Sequence, residues 1–250
     1  MTKNHQFQSQ RILDCDFHAV TQNDVLNWSK GILVKPDNHY ITTVNVAILM
    51  MMRSDHQLRD FIKQSALTVA DGQPIIWLSK LLGKPLPKRI AGIDLCQRLA
   101  EIAAQDGKSI YLLGATDTVL AKAEQKLLLD NPSLIIAGRS NGYFEASEAE
   151  TRAHLIKKSG AEILFVAMGV PRQEYFIAEN LRRCGVKLCI ALGGSFDVIS
   201  GTTKRAPKWM QNCGLEWLFR LGQEPRRLAK RYIITNTQFL TLSVRAFFKK

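Results

Sequence analysis

The sequence predicts an α/β protein with a doubly wound, mostly parallel sheet, followed by a basic and mainly helical appendage. Three observations lead there. From about Tyr40 to Gly194, short apolar runs rich in β-branched residues alternate with longer stretches of helical periodicity, the pattern of parallel strands joined by helical crossovers. Several of those runs end in Gly, Asn or Asp, the residue types suited to the ligand edge of a Rossmann-like sheet. After Gly201 the composition turns aromatic and basic. The expected division is an α/β domain over 1–201 and an appendage over 202–250.

The strands follow in order. Tyr40–Val44 runs into Asn45, Leu67–Ala70 into Asp71-Gly72, and Ser109–Leu113 into Gly114; Leu134–Ala137 comes next, then Glu162–Met168 into Gly169 and Lys187–Leu192 into Gly193-Gly194. Helical periodicity marks Ile93–Gln105, Val119–Leu129, Glu148–Lys158 and Arg172–Arg183 between them. Glycines at strand ends let backbone approach a phosphate or sugar, and the helix N-termini that follow favour anions.

The 250 residues, 46% of them apolar, suffice for one α/β domain with a short appendage. The longest apolar run, Val46–Met52, is far short of the roughly 18 residues a membrane span needs. The polar residues 1–10 lack the apolar core of a secretory signal, so the chain is expected in the cytoplasm. Cys15, Cys96, Cys184, Cys189 and Cys213 lack paired spacing and are expected to be buried thiols. Charge is uneven: residues 202–250 carry eleven basic and two acidic side chains, +9 of the net +12. Such a tail suits a polyanion, whether nucleic acid, phosphates or an anionic membrane surface. Leu228, Tyr232, Ile233, Phe239 and Leu240 recur near helical spacing beside Arg227, Lys230 and Arg231, as in an interfacial helix or an ordinary docked one.

Absent motifs remove common classes. GxxxxGK[ST], GxGxxG and GxSxG do not occur, which weakens ATPase, NAD-enzyme and hydrolase readings. The five histidines have no ligand spacing, and Asp14-Cys15-Asp16, a formal Asp-x-Asp pair, lies near the polar amino terminus; a peripheral strand or turn is the expectation there, with no metal. Asp71 is the favoured carboxylate, because it follows an apolar strand and half-shielding raises a carboxyl's pKa toward that of a useful base. The alternative is an N-cap for the helix beginning near Pro74. Gly169-Val170-Pro171-Arg172-Gln173-Glu174 offers backbone N–H groups, Arg and Gln to a diphosphate or uracil. Thr43-Val44-Asn45, Arg89 and Ser195-Phe196-Asp197 add polar loop groups.

These pieces come together as Thr43-Val44-Asn45, Ala70-Asp71-Gly72-Gln73-Pro74, Arg89 through Leu95, Asn141-Gly142-Tyr143-Phe144, Gly169 through Glu174, Gly193 through Asp197, and Arg205-Ala206-Pro207 through Glu216-Trp217 to Glu224-Pro225. In that order the chain resembles the WecG/TagA/CpsF glycosyltransferases over about Ile41 to Tyr232. The resemblance implies inverting transfer of N-acetylmannosamine, or a related sugar, from a UDP donor to N-acetylglucosamine on a polyprenyl (undecaprenyl) diphosphate. It places the base at Asp71 and substrate-binding groups at Thr43, Asn45, Arg89 and Gln173. Asp197 joins them as a loop residue, and Arg220, Arg227 and Arg231 match the region where the family's appendage carries arginines. No cofactor is expected, and arginines can replace a metal at the departing diphosphate. The lipid acceptor implies peripheral attachment to the inner face of the membrane; self-association stays open.

Two further readings compete. A nucleic-acid-binding protein would use the basic tail, and a nucleotide-dependent oxidoreductase would share the sheet but lacks the glycine fingerprint.

Overall fold

The computed structural model describes residues 7–248. Residues 1–6, Lys249 and Lys250, which include part of the polar amino terminus, lie outside them. The chain order is β1 (Ser9–Ile12), β2 (Cys15–His18), α1 (Gln22–Leu33), β3 (His39–Val44), α2 (Val46–Met51), α3 (His56–Gln64), β4 (Leu67–Ala70), α4 (Gln73–Leu81), α5 (Gly92–Gln105), β5 (Ser109–Gly114), α6 (Asp117–Asp130) and β6 (Ile135–Ser140). Then come α7 (Ala149–Lys158), β7 (Ile163–Ala167), α8 (Arg172–Cys184), β8 (Leu188–Ala191), α9 (Ser195–Ile199), α10 (Lys208–Asn212), α11 (Glu216–Gln223) and α12 (Pro225–Phe248).

All six expected strands join one sheet in the order β4-β3-β8-β7-β5-β6, parallel throughout. Alternate strand residues divide between two cores, as the two-residue period of a strand requires. Ile41, Leu67, Leu112, Phe165 and Ile190 face α1, α5, α6 and α9, whereas Tyr40, Val44, Leu113, Leu164 and Cys189 face α2, α3, α4, α7 and α8. That three-layer arrangement is the Rossmann-like fold the sequence predicts.

Three local differences have physical causes. The strand expected at Leu134–Ala137 runs instead from Ile135 through Gly138-Arg139-Ser140, with a register shift opposite Ile110/Tyr111. Gly138 is admitted because a Cβ there would lie 2.7 Å from the Tyr111 ring, whose hydroxyl bonds Ser140 Oγ at 2.6 Å. Asp14 and Asp16 belong to the hairpin of β1 and β2 and pair with Arg53 and Arg11; that hairpin covers the edge strand, where Thr68 N–H donates to His18 Nδ1 at 3.0 Å. Cys213 is exposed, contrary to expectation, while the other four cysteines are buried and all five are free.

The segment after Gly201 docks on this body. α12 lies along α2, with Leu228 and Thr235 buried and with Phe239 and Leu242 packed against the second core. Ile233 and Leu240, on the same expected stripe, are exposed. The helix therefore divides its apolar residues between a docked face and an open one. Among the described residues no helix is long and apolar enough to cross a membrane.

Candidate active site

In a parallel sheet every strand delivers its carboxyl end to one edge. Here that edge holds Thr43, Asn45, Asp71, Gly169 and the Gly193-Gly194 turn. Asp71 is fixed by backbone first: its N–H donates to Val44 C=O at 2.9 Å, and Ile90 N–H bonds Ala70 C=O at 2.9 Å just before it. Its Oδ2 then accepts from Gly92 N–H at 3.2 Å, at the first residue of α5. Asp71 does not cap the helix near Pro74, since Gly72 is the N-cap of α4 and no side chain caps it. A Cβ on Gly92 would sit 3.4 Å from Thr43 Oγ1 and 3.8 Å from Asp71 Oδ2, so the bare glycine is what leaves room for these two groups to meet.

Burial pushes the Asp71 carboxyl above the ordinary carboxylate range, against the pull of Arg89, the Gly92 N–H and Arg220, and with the help of Glu216. Arg89 Nη1 donates to Glu216 Oε2 at 2.6 Å. Arg205 grips Asp94 in α5 through two bonds of 2.6 and 2.8 Å, and its Nε lies 4.0 Å from Glu216 Oε1. A ladder of alternating charge thus runs from Asp71 through Arg89 and Glu216 to Arg205 and Asp94. Residues four apart share a helix face, so Arg220 follows Glu216 along α11 to the Gly193-Gly194 turn, where a Cβ on Gly194 would lie 3.6 Å from Arg220 Nη2 and 3.5 Å from Asp197 Oδ2. Burial raises the Asp197 carboxyl too, opposed by Arg227 and Arg220 and reinforced by Glu224.

The remaining candidates are engaged within the protein. Thr43 Oγ1 donates to Ala191 C=O at 3.3 Å. Asn45 Oδ1 caps α2 by accepting from Ile48 N–H at 3.0 Å, which leaves the donor end of its amide to serve a ligand. Gln173 does not project outward as the sequence suggests: it is buried, accepts from Gly193 N–H at 2.9 Å and donates to Glu174 at 2.7 Å. Arg172 donates to Phe144 C=O and stacks on its ring. Arg227 is held by Glu224 at 2.6 Å, and Arg231 lies over the Tyr232 ring, 5.5 Å from its centroid, without a bond to the Asp71 ladder. Asp94, Glu174, Arg205 and Glu216 stand inside the very sequence blocks that carry the resemblance, yet only their spatial pairing gives them a place here. Among the described residues no group of three His, Cys, Asp or Glu side chains is gathered to hold a metal ion.

The edge therefore combines two carboxyls of raised proton affinity, Asp71 and Asp197, with several guanidinium groups. That is the equipment to remove a proton from a hydroxyl while stabilising an anionic leaving group. The glycosyl transferase WecG/TagA/CpsF family matches residues 10–250. Two relatives, from Bacillus spizizenii and Bacillus subtilis, are each described as an N-acetylglucosaminyldiphosphoundecaprenol N-acetyl-beta-D-mannosaminyltransferase. They are 36% and 38% identical to this chain over 188 residues, which is 75% of the chain and 72% of each relative.

Proposed function

The chain belongs to the glycosyl transferase WecG/TagA/CpsF family and is a hexosyltransferase, and we propose that it moves N-acetylmannosamine, or a related sugar, from a UDP donor to N-acetylglucosamine on undecaprenyl diphosphate with inversion. The relatives' names support this acceptor and sugar. The observation that carries the mechanism is Asp71, buried enough to bind a proton well, oriented by Gly92 N–H and set beside Arg89.

In a single displacement the acceptor hydroxyl oxygen forms the new bond to the anomeric carbon as the carbon–oxygen bond to UDP breaks. The proton goes to Asp71, and UDP leaves with the bonding electrons. Arg220, with Arg227 nearby, supplies positive charge for that diphosphate, and Thr43, Asn45, Arg89, Gln173 and Asp197 shape the donor site. Arg231 belongs with the surface-facing basic residues. In this proposal the body over 1–201 holds the base, and 202–250 completes the site and attaches the enzyme peripherally to an anionic membrane surface on the cytoplasmic side.

Turnover of a panel of UDP-sugars with a synthetic lipid-diphosphate acceptor tests the proposal. The expected product has the anomeric configuration opposite to the donor's, and its rate is unchanged by EDTA. A retained configuration, or a loss in EDTA that magnesium restores, would overturn the corresponding part.

A further inference from the structure

A glutamate at the third position of a helix ordinarily reaches back to the backbone N–H of the N-cap residue. Glu174 occupies that position in α8, but the N-cap is Pro171, which has no N–H to offer. Its carboxyl turns instead to Gln173, accepting from Nε2 into Oε1 at 2.7 Å, while Oε2 is buried without a hydrogen-bond partner. Both side chains are about as buried as a side chain can be, each residue 1% exposed.

A primary amide has one donor end and one acceptor end. With its nitrogen committed to Glu174, Gln173 must present Oε1 to Gly193 N–H, and it does so at 2.9 Å. Gly193, at φ +59°, opens the turn whose next residue, Gly194, packs beside Asp197 and Arg220. Were the amide to flip, it would set a donor against the Gly193 donor and lose that bond.

We infer that Glu174 is a positioning residue: its buried carboxyl fixes the amide of Gln173, which holds the Gly193-Gly194 turn where Arg220 and Asp197 meet. This deepens the glycosyl-transfer reading and rests on it for its functional meaning. An apolar side chain would fill the same space at less cost, since a buried carboxyl with one oxygen left unpartnered is expensive to keep. Among the described residues no lysine or arginine pairs with it. The titratable groups facing it are Asp55, the N-cap of α3, and Tyr175 on its own helix, whose hydroxyl bonds Asp55. Burial accordingly pushes the Glu174 carboxyl up to about 7. Because a carboxylate is a stronger acceptor than a carboxylic acid, the hold on Gln173 weakens as pH falls through that value.

The test reads the turn directly. In protein labelled with ¹⁵N-glycine, the Gly193 amide resonance is expected to titrate with a midpoint near pH 7 in the wild type and to stay flat in Glu174→Gln, while distant Gly31 moves in neither. A Gly193 resonance that does not titrate, or that titrates equally in Glu174→Gln, overturns the inference. In turnover, Glu174→Leu is expected to fall on the order of tenfold, with Glu174→Gln, which still offers Gln173 an acceptor, in between. Wild-type turnover in a folded Glu174→Leu protein would also overturn it. If the wild type transferred no sugar at all, the glycosyl-transfer reading would fall, and the resonance would still decide the role of Glu174.

Discussion

The edge of the sheet and the helices after Gly201 hold their charged groups in opposite ways. Asp71 and Thr43 sit on strand ends whose flanking residues are buried on both faces, and backbone bonds fix them before any side-chain contact does. α10 and α11 bury no residue, and the 24-residue α12 buries only Leu228 and Thr235. The tail is joined to the body mainly by ion pairs, Arg89 to Glu216 and Arg205 to Asp94, and by one apolar stripe along α2. Burial of apolar area dominates stability while partly exposed ion pairs add little. The comparison teaches that, in the proposed mechanism, the base is built into the rigid, deeply buried part while Arg220 and Arg227 ride on helices that bury few residues.

The largest expected effect falls on the rigid part. Asp71→Asn should reduce turnover by ~10²- to 10⁴-fold while UDP affinity by calorimetry stays near wild type; a near-wild-type rate would remove Asp71 from the chemistry. The same substitution has a stability signature. A carboxyl whose folded-state pKa is raised contributes stability that is present below its unfolded pKa and lost as pH rises through the folded value. Asp71→Asn is therefore expected to melt above the wild type at pH 8 and level with it at pH 4.

On the tail, replacing Arg226, Arg227, Lys230 and Arg231 with glutamine should weaken binding to anionic vesicles on the order of 10³-fold at low salt, from about 1 kcal/mol per basic residue. The loss should shrink as salt rises. Tighter binding of the wild type to duplex DNA than to vesicles would favour the nucleic-acid reading instead.

The body was legible in the sequence and the ladder was not. Strands such as Leu67–Ala70 and Glu162–Met168 are nearly all apolar because both sheet faces are buried, and that continuous pattern survives in one dimension. Ile135–Ser140 was misplaced because Gly138 looks like a turn, and only the Tyr111 ring above it shows why a strand needs glycine there. The hairpin of β1 and β2 and the helix α1 had weaker signals, although Thr21 and Asp24 form a capping box that marks the start of α1. Asp71 was recoverable from its place after a strand. Glu216 and Arg205 were not, since an ion pair between residues more than a hundred positions apart leaves no local pattern.

A smaller effect tests how the two regions are joined. Leu228 is the apolar anchor at the start of α12, and Leu228→Ala removes a fully buried leucine, a change of about 2–5 kcal/mol where the surroundings do not collapse. Limited trypsin digestion should then cut at Arg226 and Arg227 much faster than in the wild type, with the main thermal transition of the sheet little changed. If instead the whole protein melted lower with no gain in cutting, the tail would be part of the cooperative body and the contrast would be wrong.

The smallest effect is the sharpest, because its sign reverses between the two regions. Arg89, from the body, lowers the Asp71 pKa, and Glu216, from the tail, raises it. Arg89→Gln should therefore move the acid limb of the pH–rate profile to higher pH and Glu216→Gln to lower pH, each on the order of a unit or less. Their mutual bond strengthens the argument: each neutralises part of the other's field at Asp71, so removing one leaves its partner's influence larger and pushes the limb further the same way. The double substitution should return the limb near the wild-type position at a reduced rate. Shifts in the same direction would mean that the limb reports some group other than Asp71. The Glu216 shift also measures docking, since it exists only while α11 lies against the crevice. Adding Leu228→Ala should shrink it and leave the Arg89 shift in place.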